Sequence, residues 1–201
     1  MIIHGKRAQL DTKAAWILSE AIQTLLETRS AVIVAVPGGR SVGGILQNLA
    51  EADVDWRRVH LFMVDERLVT INHPESNFRL VAESLGEKVP ATSLHPFVWD
   101  ASAEDNGVGE YQRQLTQLGG CFDIVLVSSG EDGHIASIFP NQQLTGTVRS
   151  KFILLENSPK QPLRRMSASP ALIGSAQVGV LLFFWCRKKT GFEEFPQPQT
   201  Q

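Results

Sequence analysis

The segment Gly130-Glu131-Asp132-Gly133-His134 concentrates an imidazole, two carboxylates and two glycines in one short stretch. An imidazole titrates near neutral pH, so His134 is competent to take a proton from water. A carboxylate close by, such as Asp132, can fix its tautomer and favour the imidazolium that forms. A histidine that merely closes a loop is the plain alternative. His4, His60, His73 and His95 lack such neighbours and read as structural or exposed.

Asp65-Glu66-Arg67 follows a buried apolar run directly. Arg67 can grip a phosphate or a carboxylate, while Asp65 or Glu66 can orient other groups or accept a proton. A solvated charge run or an internal ion pair is the competing reading. Pro37-Gly38-Gly39-Arg40-Ser41 offers close backbone approach, a cation, a hydroxyl and the free amides of a following helix, a set suited to phosphate. The bland account is a tight strand-to-helix turn. Ser158-Pro159-Lys160-Gln161-Pro162-Leu163-Arg164-Arg165 places three cations on a proline-stiffened loop that can close over an anion or stand exposed.

Positioning these groups requires regular elements. Apolar residues at helical spacing predict a helix over 12 to 28, capped by Asp11, and others from Ser41 to Ala50, from Ser76 as cap, and from Glu104 to Leu118. Continuous apolar runs predict strands at Ala31 to Val36, Val59 to Val64, Phe122 to Val127, Phe152 to Leu155 and Val178 to Trp185. Strands of this kind alternating with helices indicate an α/β fold, a Rossmann-like three-layer sandwich around a mainly parallel sheet. In such sheets ligands lie beyond the carboxyl ends of the strands, where loops 37 to 41, 65 to 77 and 128 to 140 converge. One domain is expected over residues 1 to 195, followed by a disordered tail from 196 to 201.

Composition narrows the functions. With 19 basic and 21 acidic residues among 201, net charge is −2, which argues against a broad nucleic-acid-binding face. No apolar run reaches the roughly 20 residues of a membrane helix, and the amino terminus lacks a signal peptide's apolar core, so a cytoplasmic setting is expected. Cys121 and Cys186 have no metal-ligand spacing and read as core thiols. There is no Walker A loop, dinucleotide fingerprint, zinc motif or serine-hydrolase elbow, so no cofactor and no metal are expected.

Several segments in order carry a resemblance: Pro37 to Ser41, Trp56-Arg57-Arg58-Val59-His60 running into Asp65-Glu66-Arg67, Ser76-Asn77-Phe78-Arg79, and Gly130 through Pro140. Ser158-Pro159-Lys160 with Arg165 and Pro170-Ala171-Leu172-Ile173 continue it. Over roughly residues 10 to 190 the chain resembles the 6-phosphogluconolactonases, a family that shares its fold with glucosamine-6-phosphate isomerases. The resemblance implies hydrolysis of 6-phosphoglucono-lactone to 6-phosphogluconate without metal or nucleotide. It implies that His134 activates water, that Arg67, Lys160 and Arg165 hold the substrate, and that Gly38, Gly39, Arg40 and Ser41 lie beside the sugar phosphate. Asp132 or Asp65 is expected to orient the histidine.

Ile135 departs from the lactonase pattern, which has Thr there, toward the related deaminases. The family pattern also extends well past a segment like 186 to 195, so an uncovered sheet edge is expected. The expected partner is a small phosphorylated sugar lactone, in a monomer or a homodimer. An amino-sugar phosphate isomerase using Asp65 as base, and a non-catalytic sugar-phosphate binding protein, are the alternatives.

Overall fold

The computed structural model describes residues 1–39, 41–140, 144 and 151–183. Arg40, Cys186 and the tail from 196 to 201 lie outside the described residues. In chain order the elements are α1 (Arg7–Leu26), β1 (Val32–Val36), α2 (Gly43–Ala50), β2 (Val59–Met63), β3 (Asp65–Arg67), α3 (Asn77–Leu85), β4 (Leu94–His95), α4 (Val108–Gln117), β5 (Ile124–Ser129), β6 (Phe152–Leu155), β7 (Arg165–Ala168), α5 (Pro170–Gly174) and β8 (Val178–Phe183).

The strands β1, β2, β4, β5 and β8 form one sheet in the order β4-β2-β1-β5-β8, and every pairing in it is parallel. All five residues of β1 are buried, as a β-branched run at the centre of a doubly covered sheet should be. The α1, α2 and α3 helices pack on one another in one layer. After β4 the chain crosses back over the sheet, and β5 pairs with the free edge of β1 and β8 with β5. The α/β sandwich read from the sequence is therefore the architecture found.

A second sheet was not foreseen. The β3, β7 and β6 strands form a three-stranded antiparallel layer in the order β3-β7-β6. Asp65-Glu66-Arg67 is thus a strand and not the start of a loop, and Arg165 opens β7 instead of closing a loop. Both segments are short and polar, and their backbone is held by pairing with each other, a tertiary effect that residue preference does not report.

Two smaller expectations also fail. Asp11 does not cap α1, because an Arg7–Asp11 pair, with Arg7 Nε 2.7 Å from Asp11 Oδ1, carries the helix back by a turn. Asp11 instead lies buried against Gly44 in the first turn of α2. Cys121 is exposed in the turn before β5 and not a core thiol. Ser76 caps α3 as expected, its hydroxyl accepting from the Arg79 amide at 3.2 Å.

Tyr111 of α4 locks the end of β2. Its buried hydroxyl accepts from the Met63 amide at 2.7 Å and donates to the His95 carbonyl at 3.0 Å. Neither His60 nor His95 is isolated: His60 Nδ1 lies 2.9 Å from His95 Nε2, and His95 stacks on Phe62 at 4.3 Å. Burial, then the neighbouring His60, lowers His95 from 6.5 to about 4, against a hydrogen bond with Gln114 that raises it. A histidine held neutral by folding stabilises fully above its unfolded pKa of about 6.5, and that contribution is lost as pH falls toward 4. After allowance for partial exposure, the loss is about 2 kcal/mol. We expect the fall in urea midpoint between pH 7 and pH 4.5 to be smaller in His95→Phe than in the unsubstituted chain. Equal falls in both would remove His95 as the cause.

At the other edge of the parallel sheet β8 leaves Leu181 and Phe183 exposed. Among the described residues no further strand pairs with it.

Candidate active site

The parallel sheet changes winding direction between β1 and β5, so the loops that follow these two strands diverge and leave a crevice at their carboxyl ends. Gly38, Gly39 and Ser41 line it from the β1 side, with the Ser41 hydroxyl 3.5 Å from that of Ser128 at the end of β5. Gly38 must be glycine because Asn77 crowds it: a Cβ there would stand 2.1 Å from Asn77 Oδ1. The glycine loop and the start of α3 are thereby pressed together.

On the β5 side the loop folds back on itself, with the Gly130 amide donating to the His134 carbonyl at 2.9 Å. The His134 ring lies across Gly130, where a Cβ would stand 2.2 Å from its Nδ1. That close approach explains the glycine. The ring's other face rests on Phe139 at 4.7 Å. Its Nδ1 lies 2.5 Å from Asp132 Oδ1, and Lys160 Nζ lies 2.8 Å from Asp132 Oδ2. Burial alone would raise the Asp132 pKa, but hydrogen bonds from Lys160 and His134 outweigh it and hold the carboxyl well below its usual range. An ionised carboxylate can only accept, so the His134 Nδ1 carries the proton and donates it. When the ring is neutral its Nε2 is then a bare lone pair.

Of the two carboxylates that sequence left open as orienting groups, Asp132 is the one in contact with the imidazole. Asp65 faces elsewhere. Its Oδ2 accepts from the Ser137 hydroxyl at 2.6 Å, and the Asn77 amide group donates to its backbone carbonyl at 2.9 Å. Glu66 is spent on α3: it accepts from the amides of Arg67, Asn77 and Phe78 and from the Ser76 hydroxyl, at 2.7 to 3.1 Å. Burial pushes its carboxyl pKa up while those amides pull it down.

Arg67 and Arg165 are directly paired across β3 and β7, so their side chains leave the same face. Burial first, and then the Arg67 charge, lowers the Arg165 pKa. Two guanidiniums so placed favour an anion between them. Arg67 Nη1 donates to the Glu75 carbonyl at 2.5 Å, and its buried Nε has no hydrogen-bond partner among the described residues. Arg165 donates to the backbone carbonyls of Pro162 at 3.0 Å, Gln161 at 3.2 Å and Lys160 at 3.3 Å. The turn that bears Lys160 therefore rests on Arg165.

Four contributors escaped the sequence reading. Ser137, wholly buried, joins Asp65 to Arg165, whose Nη1 lies 3.5 Å from the Ser137 hydroxyl. Asn77 couples Gly38 to Asp65. Phe139 carries the His134 ring on one side and has the Arg165 guanidinium 5.9 Å from its centroid. Ala136, with φ of 54°, makes the left-handed bend between Ile135 and Ser137. No signal short of three-dimensional contact marks these residues, although all four lie inside the motifs that carried the resemblance.

Comparison with known proteins adds ancestry to this geometry. A family model described as glucosamine-6-phosphate isomerases/6-phosphogluconolactonase matches residues 5–199. The chain is 33% identical over 168 residues to a 6-phosphogluconolactonase of Borreliella burgdorferi, covering 81% of this chain and 72% of that one. It is 38% identical over 161 residues to the human GDH/6PGL endoplasmic bifunctional protein, covering 74% of this chain but 20% of that much longer one. Among solved structures, the 6-phosphogluconolactonase of Trypanosoma cruzi superposes with a TM-score of 0.78 at 25% identity, covering 90% of this chain and 78% of the other. That of Trypanosoma brucei gives 0.77 at 25% identity, covering 90% and 80%.

Proposed function

We propose that this chain, which belongs to the glucosamine-6-phosphate isomerase/6-phosphogluconolactonase family, hydrolyses 6-phospho-D-glucono-1,5-lactone to 6-phosphogluconate, the lactone step of the oxidative pentose phosphate pathway. The observation that carries the reading is the Asp132–His134 pair at 2.5 Å, set at the tip of β5 with the Arg67–Arg165 pair nearby behind Phe139. Its bare Nε2 takes a proton from water as the water oxygen bonds to the lactone carbonyl carbon and the carbonyl electrons move to oxygen. Collapse of that tetrahedral species breaks the bond to the ring oxygen, which leaves with the proton returned from Nε2. Asp132 stabilises the imidazolium between the two transfers. Arg67, Arg165 and Lys160, with Gly38, Gly39 and Ser41 opposite, hold the phosphate and supply the remote binding energy that places the carbonyl.

These steps call on no metal and no nucleotide. We place the site within one chain, acting as a monomer or a homodimer. We place the reaction in the cytoplasm, on a small-molecule substrate. Among the described residues, no helix is long and apolar enough to cross a membrane.

The test is acid release from freshly made 6-phosphogluconolactone, with spontaneous hydrolysis subtracted, beside ammonia release from glucosamine 6-phosphate. Acid above the blank without ammonia is expected. Ammonia would favour the isomerase, for which Asp65 would have to leave Ser137 to serve as base. Binding without either product would make this a sugar-phosphate binding protein.

Arg67→Ala should raise KM for the phosphorylated lactone by roughly 10- to 100-fold, the worth of one or two charge-assisted hydrogen bonds, and leave that for glucono-1,5-lactone little changed. Equal effects on both substrates would remove Arg67 from the phosphate site.

A further inference from the structure

We propose that Lys160 is a positioning residue that acts on His134 through Asp132, and that an anion arriving at the arginine pair draws Lys160 away and so makes His134 a stronger base at the moment of binding. The inference rests on the lactonase reading above and adds to it a coupling between phosphate recognition and the base.

Asp132 is shared. One carboxylate oxygen faces His134 Nδ1 at 2.5 Å and the other faces Lys160 Nζ at 2.8 Å. While Lys160 holds one oxygen, part of the carboxylate's charge is compensated and less is left to stabilise an imidazolium. Lys160 is half exposed, so its side chain can swing at little cost. Its backbone cannot swing as freely, because Arg165 grips the carbonyls of Lys160, Gln161 and Pro162 from below. The Ser158 amide also closes the turn onto the Leu163 carbonyl at 2.9 Å. An anion held by Arg67 and Arg165 therefore lies beside a turn in which Lys160 is paired with Asp132, while Arg164 is paired with Glu156. A phosphate dianion is the stronger attractor for that ammonium, and once Lys160 has moved the full charge of Asp132 falls on His134.

Among the described residues, the charged groups around the imidazole are few. Asp132 and Lys160 are direct neighbours in this network, Arg165 stands behind the Phe139 ring, and Arg67, Asp65, Glu66 and Glu75 lie around Arg165. Glu131 adjoins Asp132 in the loop and is exposed. Removing Lys160 alone therefore isolates its effect.

The experiment is an NMR titration of the whole chain carrying 13Cε1-labelled histidine, with the His134 signal assigned by its loss in His134→Gln. Lys160→Gln should move the His134 midpoint up by about half a pH unit or more, and Lys160→Arg should restore it. In an Asp132→Asn background the same substitution should move it little. Sulfate, a dianion that does not titrate in this range, should raise the midpoint in the unsubstituted chain and raise it less in Lys160→Gln. An unchanged midpoint in Lys160→Gln, an equal shift with and without Asp132, or an equal response to sulfate with and without Lys160 would overturn the coupling. None of these outcomes depends on turnover. A chain that hydrolyses the lactone but fails here loses only the coupling, and one that hydrolyses nothing loses the function.

Discussion

Replacing Glu66 with alanine is expected to destabilise the fold by about 3 kcal/mol or more. Glu66 is 1% exposed and its carboxylate accepts from the amides of Arg67, Asn77 and Phe78 and from the Ser76 hydroxyl. Alanine leaves three amide donors facing a small void. An unsatisfied buried donor costs about 1–3 kcal/mol, and water entering the void recovers part of that. Glutamine fills the volume and keeps one accepting oxygen, but turns its own NH2 toward donors, so Glu66→Gln should fall between the two. Urea unfolding at neutral pH checks both. A loss below about 1 kcal/mol for the alanine variant would mean that the amides find other partners and that Glu66 does not organise the start of α3. Because Arg67 and Asn77 hang on the same carboxylate, the variant should also lose affinity for the phosphorylated lactone.

Glu66 also marks the boundary of what the sequence disclosed. The parallel sheet was legible because β1, β2, β5 and β8 are continuous apolar runs long enough to announce strands, although β8 alternates half-buried and exposed residues where coverage on both faces was expected. Ser76 was legible as a cap because capping is local. The short strands β3, β4 and β7 were not, since two to four residues such as Asp65-Glu66-Arg67 carry no period and are strands only through their partners.

The site divides in the same way. Asp132 and His134 stand two residues apart, and their contact follows from a tight glycine loop. Ser137 and Asp65 are separated by 72 positions, and only the fold brings them to 2.6 Å. Sequence therefore offered both Asp65 and Asp132 to the imidazole, and geometry separates them. Arg165 taught a related lesson: its charge reads from sequence as a hand for substrate, yet three of its hydrogen bonds go to the carbonyls of the Lys160 turn.

The central claim is that one imidazole, oriented by Asp132, activates the water that opens the lactone. The most direct measurement is the blank-subtracted initial rate of acid release from 6-phosphogluconolactone by the unsubstituted chain and by His134→Ala, side by side. General base catalysis contributes about 10²- to 10⁴-fold, so kcat/KM should fall by that factor. The urea midpoint should change little, because His134 lies on a partly exposed loop whose backbone bonds do not involve the ring. Since the arginines are untouched, the loss should appear in kcat more than in KM. A His134→Ala chain that folds normally and hydrolyses the lactone at the unsubstituted rate would contradict the account.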